Sequence, residues 1–212
     1  MVLILFDFDG VLADTLGDMI QFAQETCDEL GIDHTVTQDD LSGLEIMSFA
    51  TYGRQCQVPE NLIDEFVRLC TGKFAKKESP PAIFDELGDV IRELSIKHAI
   101  GIVSGNTTGN IKAFLVGHGL DGYVRAIYGV DESGSKAEKI SRARSQLARV
   151  GETAFMVGDS VSDIRAAKES GATSIAVSWG HQSAEMLSDA NPDHFVHTAR
   201  ELFDVISCSN FI

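Results

Sequence analysis

The chain has 212 residues, 44% of them hydrophobic, with 17 basic side chains against 32 acidic ones and a formal net charge of −15. That length suits one domain, or one domain carrying an insertion. The charge excludes nucleic acid and anionic membrane as bulk partners, because phosphate backbones need basic surface, so an anionic ligand would need a local positive site.

Val2 to Phe6 form an apolar run fit for a buried strand, and it breaks into "DFDGVLAD" at residues 7–14. Alternate side chains of a strand share a face, so Asp7 and Asp9 bring two carboxylates together, and these repel unless a cation sits between them. The N-terminus has no basic leader, and Asp7 interrupts its apolar run too early for a signal peptide or a membrane span. Cys27, Cys56, Cys70 and Cys208 show no ligand spacing and read as free thiols. The expected setting is therefore a reducing, cytoplasmic one.

From Leu16 onward the pattern is helical. Leu16, Met19, Ile20, Ala23, Cys27 and Leu30 recur at three- to four-residue steps, with Gly31 as the stop. A second helical segment is expected over 39–54. A third spans 60–76, with Leu62, Ile63, Phe66, Leu69 and Cys70 on one face. No strand is expected between 15 and 80. Pro80 and Pro81 punctuate the chain, and Phe84, Leu87, Ile91 and Leu94 start another helix. Strands at 99–104, 125–130, 154–158, 174–179 and near 194–197 then alternate with helices at 108–118 and 136–149, one ending at Gly171, and one at the C-terminus. This alternation predicts an α/β fold, a Rossmann-like open parallel sheet. Residues 1–14 and 82–212 would form that core, and 15–81 an all-helical cap inserted after the first strand.

In open parallel sheets, ligands bind beyond the carboxyl ends of the strands. The residues following the strands are Asp7 and Asp9, then Ser104, Gly105 and Asn106, then "DESGSKAEKI" with Lys136, then "GDSVSD" with Asp159 and Asp163. Several carboxylates in one place suit Mg²⁺, whereas zinc would want Cys or His. A hydroxyl, backbone amides at 105–106 and an ammonium suit a phosphoryl group. Each has a plainer reading: Ser104 as a helix cap, Lys136 as a solvated lysine, Asp163 as an acid favoured near a helix N-terminus.

With "DFDGVLAD", the strand ending at Ser104, Lys136 and "GDSVSD" in this order, the whole chain resembles the haloacid dehalogenase-type phosphohydrolase superfamily. Its insertion is similar to the small helical cap of the branch containing phosphoglycolate phosphatases and β-phosphoglucomutases. The resemblance implies that Asp7 is a nucleophile forming an aspartyl-phosphate and that Asp9 moves protons. It further implies Mg²⁺ held by Asp7, the Asp9 carbonyl and Asp159 with Asp163 in support, and phosphate held by Ser104, Gly105, Asn106 and Lys136. Dehalogenases of the superfamily lack the second acid, so Asp9 favours a phosphoester. Val11 stands where many relatives carry Thr. Ala137 stands where many carry Pro, which leaves Lys139 as a rival anchor, although Lys136 sits better at a helix start.

The expected activity is hydrolysis of a small phosphorylated metabolite by a monomer or homodimer, most like phosphoglycolate phosphatase. The alternatives are a phosphosugar mutase, a pyrophosphatase, a phosphonatase using a cap lysine (Lys73, Lys76 or Lys77) and a non-catalytic phospholigand-binding regulator. In the cap, Glu45, Tyr52 and Arg54 are substrate candidates, with Arg54 either meeting substrate or forming a surface salt bridge. Trp179, Gly180 and His181 either line the entrance or pack a loop. Asp14 and Thr15 are expected to cap the first cap helix, and His34, His98, His118, His194 and His197 to be ordinary surface or half-buried residues.

Overall fold

The computed structural model describes residues 1–44, 48–77, 79–149 and 151–208. The chain enters through β1 (Leu3–Phe6) and a short β2 (Ala13–Asp14), then runs into helices α1 (Leu16–Leu30), α2 (Asp39–Ser42), α3 (Phe49–Gln55) and α4 (Ile63–Lys76). It returns through β3 (Ala82–Ile83) and alternates thereafter: α5 (Leu87–Ser95), β4 (Ala99–Val103), α6 (Thr108–Gly117), β5 (Ala126–Tyr128), α7 (Lys136–Leu147), β6 (Ala154–Gly158), α8 (Val161–Ser170), β7 (Thr173–Val177), α9 (Ala184–Asp189), β8 (His194–Val196) and α10 (Ala199–Cys208). Six strands form one parallel sheet in the order β5-β4-β1-β6-β7-β8. This is the Rossmann-like α/β architecture expected from the alternation.

β1 is apolar throughout because both of its faces and both of its edges are covered. Ile4 and Phe6 pack with Ile91 and Leu94 of α5, Phe114 of α6 and Leu202 of α10. Leu3 and Leu5 face the other way, onto Ile140 of α7 and Ala167 of α8. Each such side chain contributes about 1.5–3 kcal/mol on burial, and together they hold β1 in register. Phe6 lies beside Ile102 of β4 and Val157 of β6, so the residues that follow these three strands emerge at one edge.

Helices α1 to α4 enclose a separate apolar cluster of Met19, Ala23, Cys27, Tyr52, Cys56, Ile63, Phe66 and Cys70. Two features depart from expectation. The helix expected over 39–54 is broken, since α2 ends at Ser42 and Gly43–Leu44 leave helical geometry. Phe84 precedes α5 instead of starting it, and its ring lies 6.4 Å from that of Trp179. Strands β2 and β3 pair antiparallel, Ala13 against Ile83 and Asp14 against Ala82, where the chain leaves the core and re-enters it. Among the described residues no helix is long and apolar enough to cross a membrane.

Candidate active site

Asp7 follows β1 and is fixed by its own N–H, which donates to the Val157 carbonyl at 2.8 Å. Asp159 follows β6, and Asp163 occupies the first turn of α8. There the capping box between Ser160 and Asp163 sets the side chain. The carboxylates of Asp7, Asp159 and Asp163 each offer an oxygen within 4.8 Å of the others, and all three residues are buried. Lys136 opens α7 and reaches in from the opposite side, its Nζ 3.0 Å from Asp7 Oδ2 and 2.5 Å from Asp163 Oδ1. The second Asp163 oxygen accepts from the Ser160 hydroxyl at 2.6 Å.

Lys139, the rival anchor, is buried one turn later and donates to the Gly129 carbonyl at 2.7 Å. It supports the β5–α7 connection, and Lys136 is the lysine at the carboxylates. Asp9 lies outside that three-carboxylate group, though it still feels the charge of Lys136. Its two oxygens accept from Asn106 Nδ2 at 3.3 and 3.0 Å, and the Thr15 hydroxyl is a further partner. The Asn106 side chain, expected near phosphate, is thus engaged with Asp9. Ser104 is buried, and its hydroxyl oxygen accepts from the Asn106 N–H at 3.0 Å, while Gly105 at the tip of the turn is exposed.

The electrostatics follow from burial. Four acids (Asp7, Asp9, Asp159 and Asp163) face one ammonium. Burial pushes the Asp7 carboxyl up from 3.8 to about 7; Lys136 opposes that rise and Asp163 adds to it. Burial likewise raises Asp9 and holds Asp159 well above its ordinary value, with the charges of Asp163 and Asp7 adding to the latter. Lys136, between two carboxylates, is held above the ordinary lysine range despite its own burial. Asp7 Oδ1 is buried with no hydrogen-bond partner among the described residues. An all-oxygen donor set, an excess of negative charge and an orphaned carboxylate oxygen together fit a hard divalent cation such as Mg²⁺.

Two glycines make room for this set. A side chain at Gly10, whose φ is +75°, would run into the Asp159 carboxyl, and so would one at Gly180. The loop after β7 therefore packs the site instead of merely fringing it. The His181 N–H donates to Asp159 Oδ2 at 2.8 Å, its Nδ1 stands 3.5 Å from the same oxygen, and its Nε2 lies 3.3 Å from the Thr15 hydroxyl. Burial holds the imidazole down at about 4, so it is neutral. Trp179 donates to the Val11 carbonyl at 3.2 Å, a packing role.

Thr15 corrects the sequence reading. It stands at the N-cap position of α1 but makes no capping hydrogen bond, because its hydroxyl is committed to Asp9 and His181. Asp14 belongs to β2. Arg54 forms a two-pronged pair with Glu60, at 2.6 and 3.0 Å, on the exposed surface, so of its two readings the structure shows the salt bridge. Tyr52 is fully buried inside the helical insertion, and Glu45 lies outside the described residues. Sequence reasoning missed His181 as a partner of Asp159, and the only signal available was its place after a strand at the same sheet edge.

A family model described as haloacid dehalogenase-like hydrolase matches residues 4–177. Among curated proteins, the chain is 28% identical to a phosphoglycolate phosphatase of Synechococcus elongatus over 98% of both chains. It is also 28% identical to pyrophosphatase PpaX of Listeria innocua, over 96% of this chain and 95% of that one. Among solved structures, a haloacid dehalogenase-like family hydrolase from Streptococcus pneumoniae superposes with a TM-score of 0.86, at 24% identity, over 97% of this chain and 98% of the other.

Proposed function

The chain belongs to the haloacid dehalogenase-like hydrolases, and from that premise we propose that it is a Mg²⁺-dependent phosphatase acting on a small phosphorylated metabolite through an aspartyl-phosphate on Asp7. The observation that carries this reading is the division of labour among the acids. Asp7, Asp159 and Asp163 share one cluster with Lys136, while Asp9 stands apart on Asn106 and Thr15.

In this reading an Asp7 carboxylate oxygen attacks phosphorus, and the bond to the leaving oxygen breaks. Asp9, whose carboxyl burial raises above its ordinary value, gives its proton to that oxygen. A water then attacks the phosphorus of the aspartyl-phosphate, Asp9 takes the water's proton, and inorganic phosphate leaves with Asp7 restored. Lys136, the Ser104 hydroxyl and the Gly105 amide hold the remaining phosphoryl oxygens and meet their charge. Asp163 positions Lys136. A Mg²⁺ held by Asp7, Asp159, Asp163 and the Asp9 carbonyl would neutralise charge between the anionic nucleophile and the anionic substrate.

The names of the relatives direct the substrate search to two chemistries, a two-carbon phosphomonoester and pyrophosphate. The monoester is the primary reading, because the most extensive of the matches reported above carries that name over nearly its whole length. The test is phosphate release from phosphoglycolate, pyrophosphate, sugar phosphates and nucleotides, with Mg²⁺ and with EDTA, for wild type and Asp7→Asn. Mg²⁺-dependent turnover that vanishes in the variant supports the reading, and the preferred compound names the substrate. Folded, Mg²⁺-loaded protein with no turnover on any compound would leave a phosphosugar mutase or a phospholigand-binding module.

A further inference from the structure

Away from the sheet edge, the helical insertion contains a second convergence of ligating atoms. His34 lies on the loop after α1, Asp40 in α2, and Cys56 at the end of α3. One ligand atom from each lies within 4.8 Å of the other two. His34 Nε2 is 3.1 Å from Asp40 Oδ1, and the Cys56 thiol is fully buried and meets the Cys27 thiol at the end of α1. Unlike the sheet-edge cluster, this set is nitrogen, sulfur and one oxygen.

The surroundings are built in the way ligand shells are built. Asp40 Oδ2 accepts from the Thr37 N–H at 2.7 Å and the Thr37 hydroxyl at 3.0 Å, which aims Oδ1 toward His34 and Cys56. Gln24 staples the loop by donating to the His34 carbonyl at 3.2 Å and accepting from the Val36 N–H at 2.8 Å. A histidine–aspartate hydrogen bond alone would explain those two residues. It leaves Tyr52 unexplained. The Tyr52 hydroxyl is completely buried, has Cys56, Asp40 and Cys27 as neighbours, and finds no hydrogen-bond partner among the described residues. A neutral thiol is a poor acceptor for that hydroxyl, whereas a metal-bound thiolate is a good one.

We propose that His34, Asp40 and Cys56 form a metal site in the helical insertion, suited to a borderline divalent cation such as Zn²⁺, with the fourth position left to solvent. Zinc–sulfur and zinc–nitrogen bonds of about 2.3 and 2.0 Å place tetrahedral ligand atoms about 3.3–3.8 Å apart. His34 and Asp40 already meet at 3.1 Å, so closure around an ion asks Cys56 to move in by at most about 1.5 Å. Binding replaces the Cys56 thiol proton, which passes to solvent, and leaves the His34 proton on Nδ1. The ion would tie the loop after α1 to the end of α3. It would thereby bracket the segment carrying Leu44, whose carbonyl accepts a hydrogen bond from the Gln182 amide in the core.

The test is a Co²⁺ titration of the full chain held in excess Mg²⁺, which keeps the all-oxygen site occupied. One equivalent of Co²⁺ should produce the near-ultraviolet thiolate-to-cobalt charge-transfer band and the intense visible bands of tetrahedral coordination, which oxygen ligands alone cannot give. Zn²⁺ should abolish the bands by displacement, and they should persist in Asp7→Asn. Cys56→Ser should remove the charge-transfer intensity, and His34→Gln should weaken binding at least tenfold, with circular dichroism reporting that both variants are folded. Absence of the charge-transfer band in wild type overturns the proposal without recourse to any variant. So does unchanged affinity and intensity in either of the two substitutions.

Discussion

The carboxyl edge of the sheet and the interior of the helical insertion both bury polar groups, in opposite ways. At the edge, four acids face one lysine, and burial leaves Asp7, Asp9 and Asp159 all raised above their ordinary range. In the insertion, the fully buried ionisable groups among the described residues are Tyr52, Cys27, Cys56 and Cys70, which are neutral when they are not ligating anything. Their ionisation is pushed further out of reach by the same desolvation. An edge with unbalanced charge calls for a cation, whereas an interior of neutral groups is stable alone. Charge imbalance of this kind marks a functional site more sharply than polarity does.

The largest test of that contrast is Asp7→Asn. Phosphate release should fall by about 10⁴-fold or more, while the metal-free variant should unfold at a higher temperature than wild type, by about 1 kcal/mol in stability, because one uncompensated charge is gone. A variant that lost both activity and stability would break the contrast. Lys136→Met should lower turnover by about 10²–10³-fold and destabilise the fold by about 3 kcal/mol, since Asp163 is left buried without its cation. Its neighbour supplies the control. Lys139→Met should cost about 1 kcal/mol for the lost bond to Gly129 and leave kcat within a few-fold.

A subtler effect concerns pH. In EDTA the unfolded chain releases the Asp7 proton near 3.8, while the folded protein keeps it to about 7. The folded state therefore loses stability as pH rises through that window, and Asp7→Asn should flatten the slope in denaturant titrations. The smallest effect is expected in the insertion. Tyr52→Phe removes a hydroxyl that has no partner among the described residues, so metal-free stability should change by less than about 1 kcal/mol, in the stabilising direction. A large loss would mean that the hydroxyl is engaged after all.

The sheet and its helices were legible because short apolar runs and three-to-four-residue periodicities are local signals, as in "AIGIV" and the Leu87–Leu94 face. The Asp7 and Asp159 stretches were legible for a related reason: chemistry that needs two acids on one turn must write them close together. What escaped depends on contacts distant in sequence. Thr15 and His181 meet across 166 positions, and Thr15 alone looks like a helix cap. The pairing of β2 with β3 involves two residues on each side, too few to show alternation. At the start of α2 the Thr37 N–H and hydroxyl bind the Asp40 carboxylate, a local closure that periodicity does not register.

The β2–β3 pairing has a consequence for how such molecules change over generations. Ala13 and Ala82 each neighbour one residue of the opposite crossing, so the helical insertion departs and returns through a doorway one strand-spacing wide, about 5 Å. A doorway that narrow can be bridged by a tight turn or by another excursion of any length, with the sheet left undisturbed. The insertion is therefore exchangeable as a cassette. A lineage can swap what hangs from Asp14 and Ala82 while Asp7, Lys136 and Asp159 stay where β1, α7 and β6 hold them.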